Sequence, residues 1–256
     1  MEITTISETF TLPSRGKIYT GKKVSDTITL RSMTTEEEMM RLSHSKTPYK
    51  KLCDIMDKCI LNDVGISTYD MCVGDYQFVL YKLRTVTYGP EYLNASTCPF
   101  CGHITSRKIN LDELIEFDLD DDGLQEFNKL FTVELPRTKA KVELRYQTPR
   151  TLEQIDKDIE TFNKQFPENK EDMSLIISLQ NSIKTIDGQH YDALKLQSIL
   201  RKLPMMDTNF LNKTITKINN EVGISNLIQE KCKNPECGEP YYATFRITSE
   251  FFGPTI

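Results

Sequence analysis

Two pairs of cysteines carry the clearest chemistry in this sequence: Cys98-Pro-Phe-Cys101-Gly102 and Cys232-Lys-Asn-Pro-Glu-Cys237-Gly238. Each pair ends in Cys-Gly, where the chain can turn tightly and aim its amides back at the sulfurs. Together they offer four thiolates, the donor set of a tetrahedral zinc with sulfurs at about 2.3 Å and no position left for a catalytic water. Such a centre is structural. Cys98, Cys101, Cys232 and Cys237 are therefore expected to hold one zinc per chain. Roughly 130 residues separate the pairs, so the ion would fasten distant parts of the chain; the entropy of closing so long a loop grows only slowly with its length. Buried free thiols, or a disulfide within each pair, are the plainer alternative.

The other reactive residue types show less pattern. Cys53, Cys59 and Cys72 stand among apolar neighbours in helical segments, where cysteine packs as a small hydrophobe. His44, His103 and His190 have no ligand or triad spacing, and His103 is expected on the hairpin surface or bonded to a ligand sulfur. Asp118-Leu-Asp120-Asp-Asp122-Gly123 begins like a calcium loop, but the closing twelfth position is Lys129 instead of glutamate. A solvated acidic segment is the expected outcome there. No Gly-rich phosphate cradle and no Gly-x-Ser-x-Gly elbow is present, which points away from an enzyme.

Composition narrows the class. The 256 residues are 38% hydrophobic and 27% charged, enough for a sizeable core, and no apolar run approaches membrane-spanning length. A net charge of −5 argues against a broad nucleic-acid footprint. Seven cysteines, an odd number, behind a start without signal-peptide character suggest a reducing compartment and bound metal over a disulfide framework.

The elements that must position the cysteines follow from patterning. Residues 1–33 read as an extended arm with a Pro13-Ser-Arg-Gly16 turn and a short alternating strand over 27–33. Thr34-Thr-Glu-Glu37-Glu38 offers a capping box for a first helix, followed by helices near 47–61 and 68–83. Strand, knuckle and strand are expected over 86–111, and residues 112–126 hold eight acidic side chains and no basic one. Phe131–Leu135 and Val142–Tyr146 form a hairpin pattern. Helices should follow from 149 or 151, with Leu152, Ile155, Ile159, Phe162 and Phe166 as an inner stripe, then near 171–186, 189–203 and 207–221, the last capped by Asp207. After the second knuckle Tyr241, Ala243, Phe245 and Ile247 share one strand face. The fold class is α+β: a split zinc ribbon closed by the four cysteines (86–117 with 226–256), an N-terminal arm (1–33), a helical lobe (34–85) and a mainly helical insertion carrying a β-hairpin (118–225).

Phe10-Thr-Leu-Pro13-Ser14-Arg-Gly16-Lys-Ile-Tyr19, followed by the Thr34-Thr-Glu-Glu37 helix start and the split knuckles, resembles the baseplate hub and hub-assembly proteins of T-even (T4-like) contractile-tailed phages. The resemblance implies a non-enzymatic tail protein that binds other tail or hub proteins, in the host cytoplasm during assembly and in the virion baseplate. Within it, Leu12, Pro13, Ser14, Gly16, Ile18 and Tyr19 form a candidate docking arm, whose backbone could also add to a partner's sheet edge. The arm folding back on its own domain is the alternative. The rival from another class is a nucleic-acid-binding zinc-ribbon module using Arg107, Lys108, Lys231, Lys233 and Arg246, with Tyr241 and Tyr242 for stacking. Glu230, Glu236 and Glu239 dilute that charge.

Overall fold

The computed structural model of the chain describes residues 5–168, 171–244 and 251–252. In chain order the elements are β1 (Ser7–Thr11), β2 (Thr27–Arg31), α1 (Thr35–Leu42), α2 (Pro48–Cys59), α3 (Val73–Tyr88), β3 (Glu91–Thr97), β4 (Ile104–Asn110), β5 (Glu116–Phe117), α4 (Asp121–Lys129), β6 (Thr132–Glu134) and β7 (Lys141–Leu144). They continue with α5 (Pro149–Gln165), α6 (Ser174–Ser182), β8 (Ile183–Ile186), α7 (Ala193–Leu200), α8 (Met205–Asn220), β9 (Gly223–Ile224), β10 (Leu227–Lys231) and β11 (Pro240–Thr244). All described sheets are small and antiparallel: β1–β2, β3–β4, β10–β11, β5–β9 and the three-stranded β6–β7–β8. The mixture is α+β.

Helix α3 organises the core. Phe78, Val79, Leu80, Tyr81 and Leu83 are all buried, so the helix is covered on every side, as an apolar helix deep in a domain must be. Its one lysine, Lys82, is buried too and keeps its charge compensated by Glu116 at 2.8 Å and Asp112 at 3.5 Å. Around α3 one continuous apolar cluster gathers Leu12, Ile28 and Leu30 from the N-terminal sheet, Met56 from α2, Leu144 from β7, Leu211 and Ile218 from α8, and Phe251. The glycine before Asp75 permits one tight crossing: a Cβ on Gly74 would stand 2.0 Å from the Val222 carbonyl oxygen.

Several local expectations hold. The Thr34 N–H and hydroxyl donate to Glu37 Oε2 at 2.9 and 2.6 Å, fastening the start of α1. Asp120 caps α4 by accepting the Gly123 N–H at 2.6 Å, so the acidic run starts a helix where the calcium-loop pattern would have needed ligands. Ile155, Ile159 and Phe162 of the α5 stripe pack against Met173 and Ile177 at α6, while Phe166 at the end is exposed.

Two expectations are corrected. The helix foreseen over 171–186 stops at Ser182, and Ile183-Lys-Thr-Ile186 becomes the third strand of the β6–β7–β8 sheet. Its β-branched residues satisfy a buried sheet position, and pairing with β7 overrides the helical spacing of Ile176, Leu179 and Ile183. Asp207 lies inside the first turn of α8, after Pro204, and its carboxylate accepts the N–H groups of Arg137 and Thr138 at 2.7 and 2.9 Å. It caps the β6–β7 turn instead of its own helix. Phe245 to Thr248, read as the rest of the last strand, lie outside the described residues.

Candidate metal centre

Two hairpins carry the cysteines. In the β3–β4 hairpin the Cys98 N–H donates to the His103 carbonyl and the Gly102 N–H to the Cys98 carbonyl, both at 2.9 Å. Gly102 takes φ +73°, which an L side chain rarely adopts. In the β10–β11 hairpin the Cys232 N–H donates to the Glu239 carbonyl, and the Cys237 and Gly238 N–H groups both donate to the Asn234 carbonyl at 3.0 Å. Each pair of thiols is thereby held at one end of its hairpin.

The hairpins then meet. Ser96 Oγ lies 2.8 Å from Tyr241 Oη, Arg107 Nε donates to the buried Glu230 Oε1 at 2.8 Å, and Lys233 Nζ donates to the Ser106 carbonyl at 2.9 Å. These contacts bring Cys98 Sγ to 3.9 Å from Cys237 Sγ and Cys101 Sγ to 3.6 Å from Cys232 Sγ, with all four sulfurs within 4.8 Å of one another. A regular tetrahedron with metal–sulfur bonds of about 2.3 Å has sulfurs about 3.8 Å apart. The donor set fits a four-coordinate metal ion. Cys98 and Cys232 are buried, Cys237 half-buried and Cys101 exposed, so one vertex of the cluster faces solvent.

Four thiols this close cannot all ionise without a cation between them. The His103 backbone N–H and the neighbouring thiols hold Cys101 down at about 7, whereas burial pushes Cys232 up to about 12. The other three cysteines are inert by the same logic: burial raises Cys53 to about 12, Cys59 to about 11 and Cys72 further still.

The N-terminal turn requires a correction. Leu12, Pro13, Ser14, Ile18 and Tyr19 are buried and Gly16 is half-buried, so the side chains expected to be presented to a neighbour face inward. The reason is a residue that sequence reasoning missed. Asp75, fully buried at 0% exposure, accepts the Ser14 N–H at 3.0 Å, the Ser14 hydroxyl at 2.5 Å and the Tyr19 hydroxyl at 2.6 Å. Tyr19 Oη also accepts the Cys72 N–H at 3.1 Å, tying the turn to the start of α3. An acidic residue three positions into a helix was the available signal, and on its own it reads only as favourable to the helix dipole.

The basic residues of the nucleic-acid reading are mostly engaged within the chain. Arg107 and Lys233 bridge the two hairpins, and Lys108 pairs with Glu91 at 3.0 Å. Tyr241 is buried, Tyr242 is exposed, and Arg246 lies outside the described residues.

Fold and site together define an α+β protein with a candidate closed thiolate site at the junction of two hairpins. Comparison with known families goes further: residues 4–253 match the family described as T4 bacteriophage base plate protein, and the chain belongs to that family. Membership points to a structural role in the phage tail, in association with the virion and with other baseplate proteins. No curated protein and no solved structure matches the chain. No described helix is long and apolar enough to cross a membrane.

Proposed function

We propose that this chain is a non-enzymatic baseplate hub protein that works by binding other hub or tail proteins during assembly, and that one structural zinc on Cys98, Cys101, Cys232 and Cys237 stabilises it. The observation that carries the metal reading is the convergence of four sulfurs, from turns 131 positions apart, to within 4.8 Å of one another. Thiolate-only coordination in a tetrahedron suits zinc, with iron the rival that metal analysis distinguishes, and leaves no open position for chemistry. In this reading 86–117 and 226–256 make a split ribbon, and 118–225 is an insertion whose two ends the ribbon holds together. The hub assignment rests on the Pro13-Ser-Arg-Gly16 turn with Tyr19, the Thr34-Thr-Glu-Glu37 helix start and the split knuckles, read within the baseplate family.

The test has two arms. Metal analysis of the purified chain should find one zinc, lost in Cys98→Ser together with a drop in melting temperature; a metal-free wild type, or a variant that melts unchanged, overturns the zinc reading. Infection with a phage lacking this gene should stall before hub completion and be rescued by the wild-type chain. Complete hubs in its absence overturn the assembly reading.

A further inference from the structure

Strand β1 leaves one side of the N-terminal sheet open. The Ser32 N–H donates to the Ile6 carbonyl and the Leu12 N–H to the Asp26 carbonyl, both at 2.8 Å. In the antiparallel register with β2, residues 6, 8, 10 and 12 therefore aim their backbone groups at β2. Ser7, Thr9 and Thr11 aim theirs the other way. On β2 the same alternation turns Thr29 outward, and that edge is taken: its N–H donates to Asn62 Oδ1 at 2.7 Å and its carbonyl accepts the Leu61 N–H at 2.9 Å. Among the described residues nothing does this for β1. Ser7, Glu8, Thr9 and Thr11 are exposed, and the strand has no proline, lysine or bulge of the kind that protects an edge.

We propose that this edge pairs with β1 of a second copy of the chain, antiparallel about a two-fold axis at Thr9, joining two sheets into one of four strands. The strand is complementary to itself in this register. Thr9 stands opposite Thr9 of the second copy, and Ser7 opposite its Thr11. Within one chain the Thr9 and Thr29 hydroxyls are already 2.9 Å apart, so a row of hydroxyl side chains continues across the joint. Serine and threonine are favourable cross-strand neighbours. Glu8, the strand's only charge, forms no ion pair among the described residues and falls opposite Phe10 of the second copy. An axis at Glu8 would oppose two carboxylates, and its backbone groups are already bonded to β2. A strand from an unrelated protein would owe this chain no such symmetry.

The test uses the full chain. Sedimentation equilibrium should give a dimer, and Thr9→Pro should give a monomer with unchanged zinc content and melting temperature, because the N–H it removes points away from β2. Thr9→Cys should form an interchain disulfide under mild oxidation, since directly opposed hydrogen-bonded residues have Cα atoms about 5.5 Å apart, within disulfide reach. Glu8→Cys should not. A monomeric wild type at every concentration, or a Thr9→Pro dimer, overturns the proposal. So does a monomer whose binding to another tail protein is lost in Thr9→Pro, which would give the edge to that protein. The pairing is independent of the metal centre: Cys98→Ser should lose zinc and remain dimeric.

Discussion

The Ser14 hydroxyl donates to Asp75 Oδ2 at 2.5 Å, across 61 positions of sequence and with both residues fully buried. With Tyr19 donating to the same oxygen at 2.6 Å, this bond fastens the N-terminal turn to the first turn of α3. The Leu-Pro-Ser-x-Gly-x-x-Tyr run thereby acquires a physical reason. Serine and tyrosine supply the donors, and Gly16 turns the chain between them at φ +69°, where a Cβ would stand 2.6 Å from the Val24 carbonyl oxygen.

Removing one donor should loosen the latch without dismantling the fold. Ser14→Ala and Tyr19→Phe should each lower stability by about 1–3 kcal/mol, the range for a bond whose buried acceptor is left short of partners. The double variant should cost less than the sum, because both act on one carboxylate. Urea unfolding of the single and double variants measures this; changes within error of zero would show that the latch contributes nothing.

Two buried carboxyls should give opposite pH dependences. Burial raises Asp75 above the ordinary carboxylate range, so its contribution is complete at acid pH and is lost as pH rises through the folded value. The non-titrating Asp75→Asn should therefore gain on the wild type as pH increases. Glu37 is held at about 2, chiefly by its hydrogen bonds from Arg31. Its contribution is present above roughly 4.3, the unfolded value, and is lost as pH falls toward about 2. Glu37→Gln should lack that acid-side decline. Melting temperatures from pH 2 to 8 in steps of about one unit test both signs.

The crossing of α3 over the start of β9 tolerates no side chain. Gly74→Ala places a methyl 2.0 Å from a backbone oxygen, which a rotamer change cannot relieve. A loss of about 1–3 kcal/mol or more is expected, as for an overpacked core. A melting temperature equal to wild type would mean that the backbone yields there at no cost.

Removing the metal should act locally. Cys98, Cys232 and Cys237 pack in a small cluster with Tyr241 and Ala243, separate from the apolar core around α3. After chelation, amide exchange should speed up in 91–110 and 227–244 and stay nearly unchanged in α3. Uniform acceleration across the chain would show that the centre supports the whole fold.

Much of the site was legible from one dimension because its information is local. The Cys98–Gly102 and Cys232–Gly238 runs each encode a turn and two thiols, and four thiols able to share one metal ion gave the reason to expect the two turns to meet. The capping box at Thr34 and Glu37 is local in the same sense, and so is the apolar stripe of α5. The partners of Asp75 and Asp207 were not legible. Each is a single acidic residue near a helix start, and which distant N–H or hydroxyl it receives depends on how the helix docks. The fate of Ile183–Ile186 was hidden for a related reason, since β7 must already be in place before a strand there outcompetes another turn of helix.

Sequence alone therefore determined the two cysteine turns and several of the helices between them, such as α5, because neighbours in the chain settle those. Tertiary structure decided which surfaces remain outside. It folded Leu12, Ile18 and Tyr19 inward onto α3, since burying those side chains and bonding Asp75 outweigh leaving them in water. Among the described residues it also left the outer backbone edge of Ser7, Thr9 and Thr11 without a partner, since the segment at residues 61 and 62 docks on the far edge of β2 instead.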